Sequence, residues 1–173
     1  EVIPMEAFES GDDILIAAHA VVERAECILN AEAPYGGSIV VEANQGLRYD
    51  YNAVKDARSV PENALVYETG HSEDYFYSLG FMEDREGYPE TSWIIIEFED
   101  PIINGTDYDL QIVEDTWGLP YPVEEAEVFV SNDGMSWTSV GFADNQTPLN
   151  SYHTVSEFDL PDGWESASFV KVK

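Results

Sequence analysis

The sequence predicts an all-β fold, a β-sandwich or jelly roll of residues 38 to 173 preceded by an N-terminal arm of residues 1 to 37. Two observations carry the sandwich. Short runs rich in β-branched and aromatic residues recur from Ser38 to Val172, and Gly, Pro, Asn and Asp punctuate the intervals between them. A third observation sets the arm apart: the stretch from Asp12 to Ala33 holds neither Gly nor Pro, and Pro34-Tyr35-Gly36-Gly37 then ends it.

Within the arm, Ile14, Ala18, Val21, Val22, Ala25, Ile28 and Leu29 fall on a single apolar stripe at helical spacing. Asp12 or Asp13 is placed to cap such a helix, and acids at its start suit the helix dipole. Ala25, Cys27, Leu29 and Ala31 also alternate as a strand would, so helix and strand both stay open for the distal half.

From Ser38 the predicted strands are Ser38 to Ala43, Tyr75 to Phe81, Trp93 to Phe98, Asp109 to Glu114, Ala126 to Ser131, Trp137 to Phe142, Val155 to Leu160 and Ser168 to Val172. Pro89, Pro101, Asn104-Gly105, Gly118 to Pro122, Asn132-Asp133-Gly134 and Pro161-Asp162-Gly163 separate them. Trp93-Ile94-Ile95-Ile96 is apolar on both faces, which predicts a central strand covered on both sides. Glu127 to Val130, then Asn132-Asp133-Gly134, then Trp137 forms the clearest hairpin. Trp93, Trp117 and Trp137 are expected to fill the space between the sheets.

The chain has 173 residues, 35 of them Asp or Glu and 7 Lys or Arg, for a formal net charge of −28. Such a surface has no basic patch to neutralise phosphates, which excludes nucleic acid as a partner and disfavours anionic lipid. With 44% hydrophobic residues, including 4 Trp, 10 Tyr and 8 Phe, the chain has ample area to bury and is not an acidic disordered tail. Self-repulsion at this charge requires salt, bound divalent cations or protonated carboxylates to offset it. No run of about 18 apolar residues is present, so no membrane span is expected in the visible chain. Cys27 is the only cysteine, which rules out an internal disulfide and a CxxC site. The chain starts at Glu1, consistent with a removed leader, and Asn104-Gly105-Thr106 and Asn145-Gln146-Thr147 are sequons that make Asn104 and Asn145 candidate glycosylation sites.

Several motifs occur together in a familiar order. Glu127-Val128-Phe129-Val130-Ser131-Asn132-Asp133-Gly134, followed by Trp137 and Gly141, resembles the hairpin of secreted discoidin-like, galactose-binding-like sandwiches. Gln45-Gly46-Leu47-Arg48, Arg58-Ser59, Pro61 to Leu65, Ser78-Leu79-Gly80-Phe81, Asp109-Leu110, Glu114, Trp117-Gly118 and Tyr121-Pro122 extend the resemblance over roughly residues 38 to 173. It implies a domain of secreted and cell-surface proteins of bacteria and archaea. Two departures stand out. An acidic loop, Met82 to Glu90, stands where a Gly-rich stretch is expected, and the resemblance implies one more acidic, strand-containing segment beyond Lys173, without which a strand slot is left unfilled. An unfilled slot in a sandwich exposes unpaired backbone, which a strand of another chain completes, and the arm is the obvious donor.

The turn Asn104-Gly105-Thr106-Asp107-Tyr108-Asp109 offers oxygen ligands at the start of a strand, a pattern that suits calcium. Asn104, Asp107 and Asp109, with Glu68, Glu114 and Asp115 to complete the shell, are the candidate metal ligands. Glu83-Asp84-Arg85-Glu86 with Glu90 is a second acidic loop. His19, His71 and His153 lack zinc spacing, and no nucleophile elbow, P-loop or dinucleotide fingerprint occurs, so no enzyme is expected. Trp117, Tyr121 and Tyr88 are candidates for stacking on a sugar ring.

These readings converge on an extracellular structural protein. Its expected form is a subunit of a cell-surface filament, sheath or coat, assembling with copies of itself through the arm and through calcium. A carbohydrate-binding module or adhesin, with glycans as partners, is the alternative.

Overall fold

The computed structural model describes residues 15–20, 38–48, 52–65, 76–80, 92–116 and 123–173, the first of these segments by its backbone path. Nine described strands make two antiparallel sheets. They are β1 (Leu15–Ala20), β2 (Ser38–Asn44), β3 (Tyr77–Ser78), β4 (Trp93–Ile103), β5 (Leu110–Asp115), β6 (Glu125–Ser131), β7 (Thr138–Asp144), β8 (His153–Phe158) and β9 (Ser166–Val172). One sheet has the order β3-β1-β5-β8 and the other β2-β4-β9-β6-β7. The fold is all-β, as the sequence predicts, and each of the eight predicted runs overlaps one of the strands β2 to β9, with ends that differ by a few residues.

Alternation places the core. On β4, Ile94, Ile96 and Phe98 point inward and are buried, while Trp93, Ile95 and Glu97 lie on the other face and are half-buried. Cross-strand register stacks these residues into rows. Ile94, Val172 and Val128 are successive partners across β4, β9 and β6, as are Ile96, Val170 and Val130, and all six are 0% exposed. Burying an aliphatic side chain fully stabilises by about 1.5–3 kcal/mol, so these rows are a principal source of cohesion in the five-stranded sheet. Tyr77, Leu110, Ile112 and Phe158 of the other sheet belong to the same buried cluster, which makes the two sheets a sandwich.

Pro101 lies within β4, where the pairing with β9 shifts register between Glu97 and Ile102. Proline has no N–H to give to the ladder, and the exposed residues Glu99, Asp100 and Pro101 occupy the irregularity. The predicted hairpin forms between β6 and β7.

Three expectations change. The helical stripe of the arm is not realised at Leu15–Ala20, which is a strand: Leu15 and Ile16 pair with Ser78 and Tyr77, and Ala17 to Ala20 pair with Val113 to Leu110. Backbone groups facing each other on β3 and β5 need partners, and this long-range pairing overrides the local helical pattern. The rest of the arm lies outside the described residues. Second, the outer face of β4 is only partly covered, since Trp93 and Ile95 are half-buried. Third, Trp93 and Trp137 do not fill the space between the sheets. Trp137 is half-buried on the outer face, where its ring and that of Phe129 each lie 4.7 Å from the Lys171 ammonium. Trp117 is outside the described residues.

Candidate functional site

The loop that opens β5 is built around Asp109. Its side chain is 2% exposed, and both carboxylate oxygens accept backbone N–H groups: Oδ1 from Gly105 at 2.6 Å and Oδ2 from Leu160 at 2.8 Å. Its own N–H donates to Phe158 O, and the Asn104 N–H donates to Glu165 O. Asp109 thus ties the loop to the segment after β8, a local use of a carboxylate that competes with any external ligand. Asp107 is exposed and Asn104 half-buried. Asp107 and Asp109, two positions apart, therefore do not share an environment. Glu114 is at the opposite end of β5, roughly 17 Å away along the strand at about 3.3 Å per residue, and Glu68 lies outside the described residues.

A different group of acids gathers at that far end. Glu114 continues the face of Leu110 and Ile112, and is 6% exposed. Its carboxyl is pushed up to about 9, first by burial, then by the charge and hydrogen bond of Glu124, then by the charges of Asp144 and Asp115. Each acid comes from a different place. Asp144 ends β7, where its N–H donates to Ser156 Oγ of β8 at 2.9 Å and its carbonyl accepts from the same hydroxyl at 3.2 Å. Glu124 precedes β6, and its N–H donates to Asn145 Oδ1 at 3.4 Å. Glu124 and Asp144 are half-buried. On β8, Thr154 is the register partner of Glu114 and is 5% exposed, and its Oγ1 has no hydrogen-bond partner.

Asp115 points to the opposite face of β5 from Glu114. There its Oδ2 is 3.8 Å from His153 Nε2, and the imidazole Nδ1 is 3.0 Å from Asn150 Oδ1. Both His153 and Asp115 are buried.

Among the described residues, no three His, Cys, Asp or Glu side chains are arranged around a common centre as they would be round a metal ion. Nor is any helix there long and apolar enough to cross a membrane. Of the two sequon residues, Asn104 sits at the start of the Asp109 loop, and Asn145 is half-buried beside Glu124. Tyr88, Trp117 and Tyr121 lie outside the described residues, as does the acidic loop Glu83 to Glu90.

Sequence reasoning singled out Glu114 and missed Glu124, Asp144 and Thr154. Their proximity depends on the β5–β8 register and on the β7 end meeting β8, and no local pattern encodes either. Val-Glu-Asp at 113 to 115 is the one local signal, an acid at an alternating position that should be apolar.

No family model matches the chain, and no match was found among the curated proteins compared with it.

Proposed function

We propose that this protein is an extracellular structural subunit of a cell-surface filament, sheath or coat, whose copies join by exchanging strand β1. The observation that supports this is the position of β1. A six-residue strand from the N-terminal segment is inserted between β3 and β5, with neighbours on both edges. Without it, β3 and β5 each present an open edge inside the sheet.

The same backbone pairs form whether β1 comes from its own chain or from another copy, so exchange sacrifices no ladder hydrogen bond. Residues 21 to 37 join β1 to β2, and at about 3.3 Å per residue a chain of that length reaches on the order of 55 Å when extended. That span is sufficient to deliver β1 to a neighbour. The net charge of −28 adds a condition: copies associate only where salt or cations screen them.

The test is a disulfide trap. Ala17 and Val113 are register partners on β1 and β5, and antiparallel partners lie close enough for a disulfide. A chain carrying Ala17→Cys and Val113→Cys, with Cys27→Ser, is oxidised after incubation at high protein concentration and run on a denaturing gel. A ladder of covalent oligomers is expected. Cross-linked monomer alone at every concentration would sink the exchange, whether or not particles are seen by electron microscopy.

A further inference from the structure

The end of the sandwich at Glu114 contains a polar group that the fold itself leaves unused. Thr154 Oγ1 is buried without a hydrogen-bond partner, and an unpaired buried hydroxyl costs about 1–3 kcal/mol. It stands directly across the ladder from Glu114, so both side chains emerge on the same face. That face leads to the Glu124 and Asp144 carboxylates, and the charged groups acting on Glu114 are all acids. Three carboxylates and a hydroxyl, contributed by β5, the segment before β6, the end of β7 and β8, lie near one another at this end of the sandwich, without surrounding a common centre as they stand.

We propose that Glu114, Glu124, Asp144 and Thr154 Oγ1 form a binding site for one hard divalent cation of the calcium type. Calcium takes six to eight oxygens in flexible geometry, and three carboxylates with a hydroxyl and water supply them. Sulfur and imidazole ligands, which would select zinc or copper, are absent from this set. Without the ion Glu114 and Glu124 hydrogen-bond to each other. Glu124 and Asp144 are half-buried, so they reach a common centre by rotating their own side-chain torsions while the strands stay in place. The ion replaces repulsion among acids with attraction to a shared charge and gives Thr154 Oγ1 the partner it lacks. It also ties β5 and β8 of one sheet to the end of β7 in the other. None of the four groups lies on β1, and β1 pairs with β5 in the same way whichever copy supplies it, so the site does not require strand exchange.

The experiment uses the full chain freed of metal with a chelator, in about 0.15 M KCl so that diffuse binding to the acidic surface is screened. Calorimetric titration with CaCl2 is expected to show one saturable site per chain, and CaCl2 is expected to raise the melting temperature. Thr154→Val keeps the shape and removes the hydroxyl, and should weaken binding roughly tenfold. Glu114→Gln and Asp144→Asn should abolish the saturable phase, while Asp162→Asn, on a remote exposed turn, should leave it unchanged. Circular dichroism of each variant establishes that it folds. If the wild type shows no saturable binding at millimolar CaCl2, the proposal is wrong. Binding that survives in Glu114→Gln, Asp144→Asn and Thr154→Val alike overturns it equally, because the ion then sits elsewhere.

Discussion

Glu114 on β5 and Thr154 on β8 face each other across the ladder, each more than nine-tenths buried, on a face whose neighbouring positions hold Leu110, Ile112 and Phe158. An acid in that position is held in its neutral form by burial and by Glu124 beside it. The sandwich therefore carries a conflict among buried acids at one end that its apolar rows do not share.

The conflict has a pH signature in metal-free protein. The Glu114 carboxyl has an ordinary value of 4.5 and is raised to about 9 in the fold. The folded state holds its proton where the unfolded chain has lost it. This contribution is fully present below about 4.5 and is lost progressively as pH rises towards 9. Glu114→Gln mimics the neutral form and escapes the loss. In chelator, the variant should melt higher than the wild type by an amount that grows from pH 5.5 to pH 8.5, to on the order of 5 °C. A gap that stays constant across that range would show that Glu114 does not hold a proton there.

The buried rows predict a sharp contrast within one sheet. Ile96 is fully buried between Val40 of β2 and Val170 of β9, whereas Phe142 on the edge strand β7 is 60% exposed. Ile96→Ala leaves a cavity and should cost about 3 kcal/mol in urea unfolding. Phe142→Ala should change stability by less than about 0.5 kcal/mol. Comparable losses for the two would mean that Phe142 is covered by contacts the monomer lacks.

Gly80 is constrained from two directions. Its φ is +79°, and a Cβ there would lie 2.6 Å from the Gly46 carbonyl carbon. The Gly46 N–H donates to Leu79 O at 2.8 Å, and Gln45 Nε2 donates to Ser78 O at 2.6 Å, so the segments Gln45-Gly46 and Ser78-Leu79-Gly80 are bonded together. Gly80→Ala meets both strain and backbone collision, and should cost on the order of 2–3 kcal/mol. Gly163→Ala has a positive φ with open space around it and should cost about 1 kcal/mol. Equal effects would remove the collision from the account.

How far the fold could be read from the sequence depended on how local each signal was. Strands β2 to β9 announce themselves because β-branched and aromatic runs between Gly, Pro and Asn are local facts. Strand β1 does not, since Leu15 to Ala20 is Ala-rich and fits a helical stripe; its strand form depends on β3 and β5, distant in sequence. Trp93 and Trp137 read as core because large aromatics usually are, yet both lie on the outer face, where Trp137 covers Lys171. The candidate site divides in the same way. From the sequence Glu114 is only a distant residue to complete the shell of the Asp109 turn, a role that the length of β5 rules out, while Thr154 enters only once register sets it opposite. Asp109 was visible as a loop acid, but nothing in its spacing foretold that the Gly105 and Leu160 amides would take both its oxygens.

The β6–β7 hairpin supplies a prediction of opposite sign in pH. Asp133 Oδ1 accepts the N–H groups of Met135 at 2.8 Å and Ser136 at 2.7 Å, and the Ser131 hydroxyl at 3.0 Å. Ser131 Oγ in turn accepts the N–H groups of Asp133 and Gly134. Hydrogen bonds from the backbone of Ser136 and Met135 favour the ionised acid and lower Asp133 from 3.8 to about 2. A lowered carboxyl stabilises the fold above its unfolded value, and that contribution is lost as pH falls through the folded one. Asp133→Ala should therefore lower the melting temperature at pH 7, and the difference from the wild type should shrink as pH falls from 4 towards 2. Asp133→Asn keeps an acceptor oxygen without the charge and should fall between the two at pH 7. If Asp133→Asn matched the wild type at pH 7, the turn would need only the acceptor, and ionisation would contribute nothing to it.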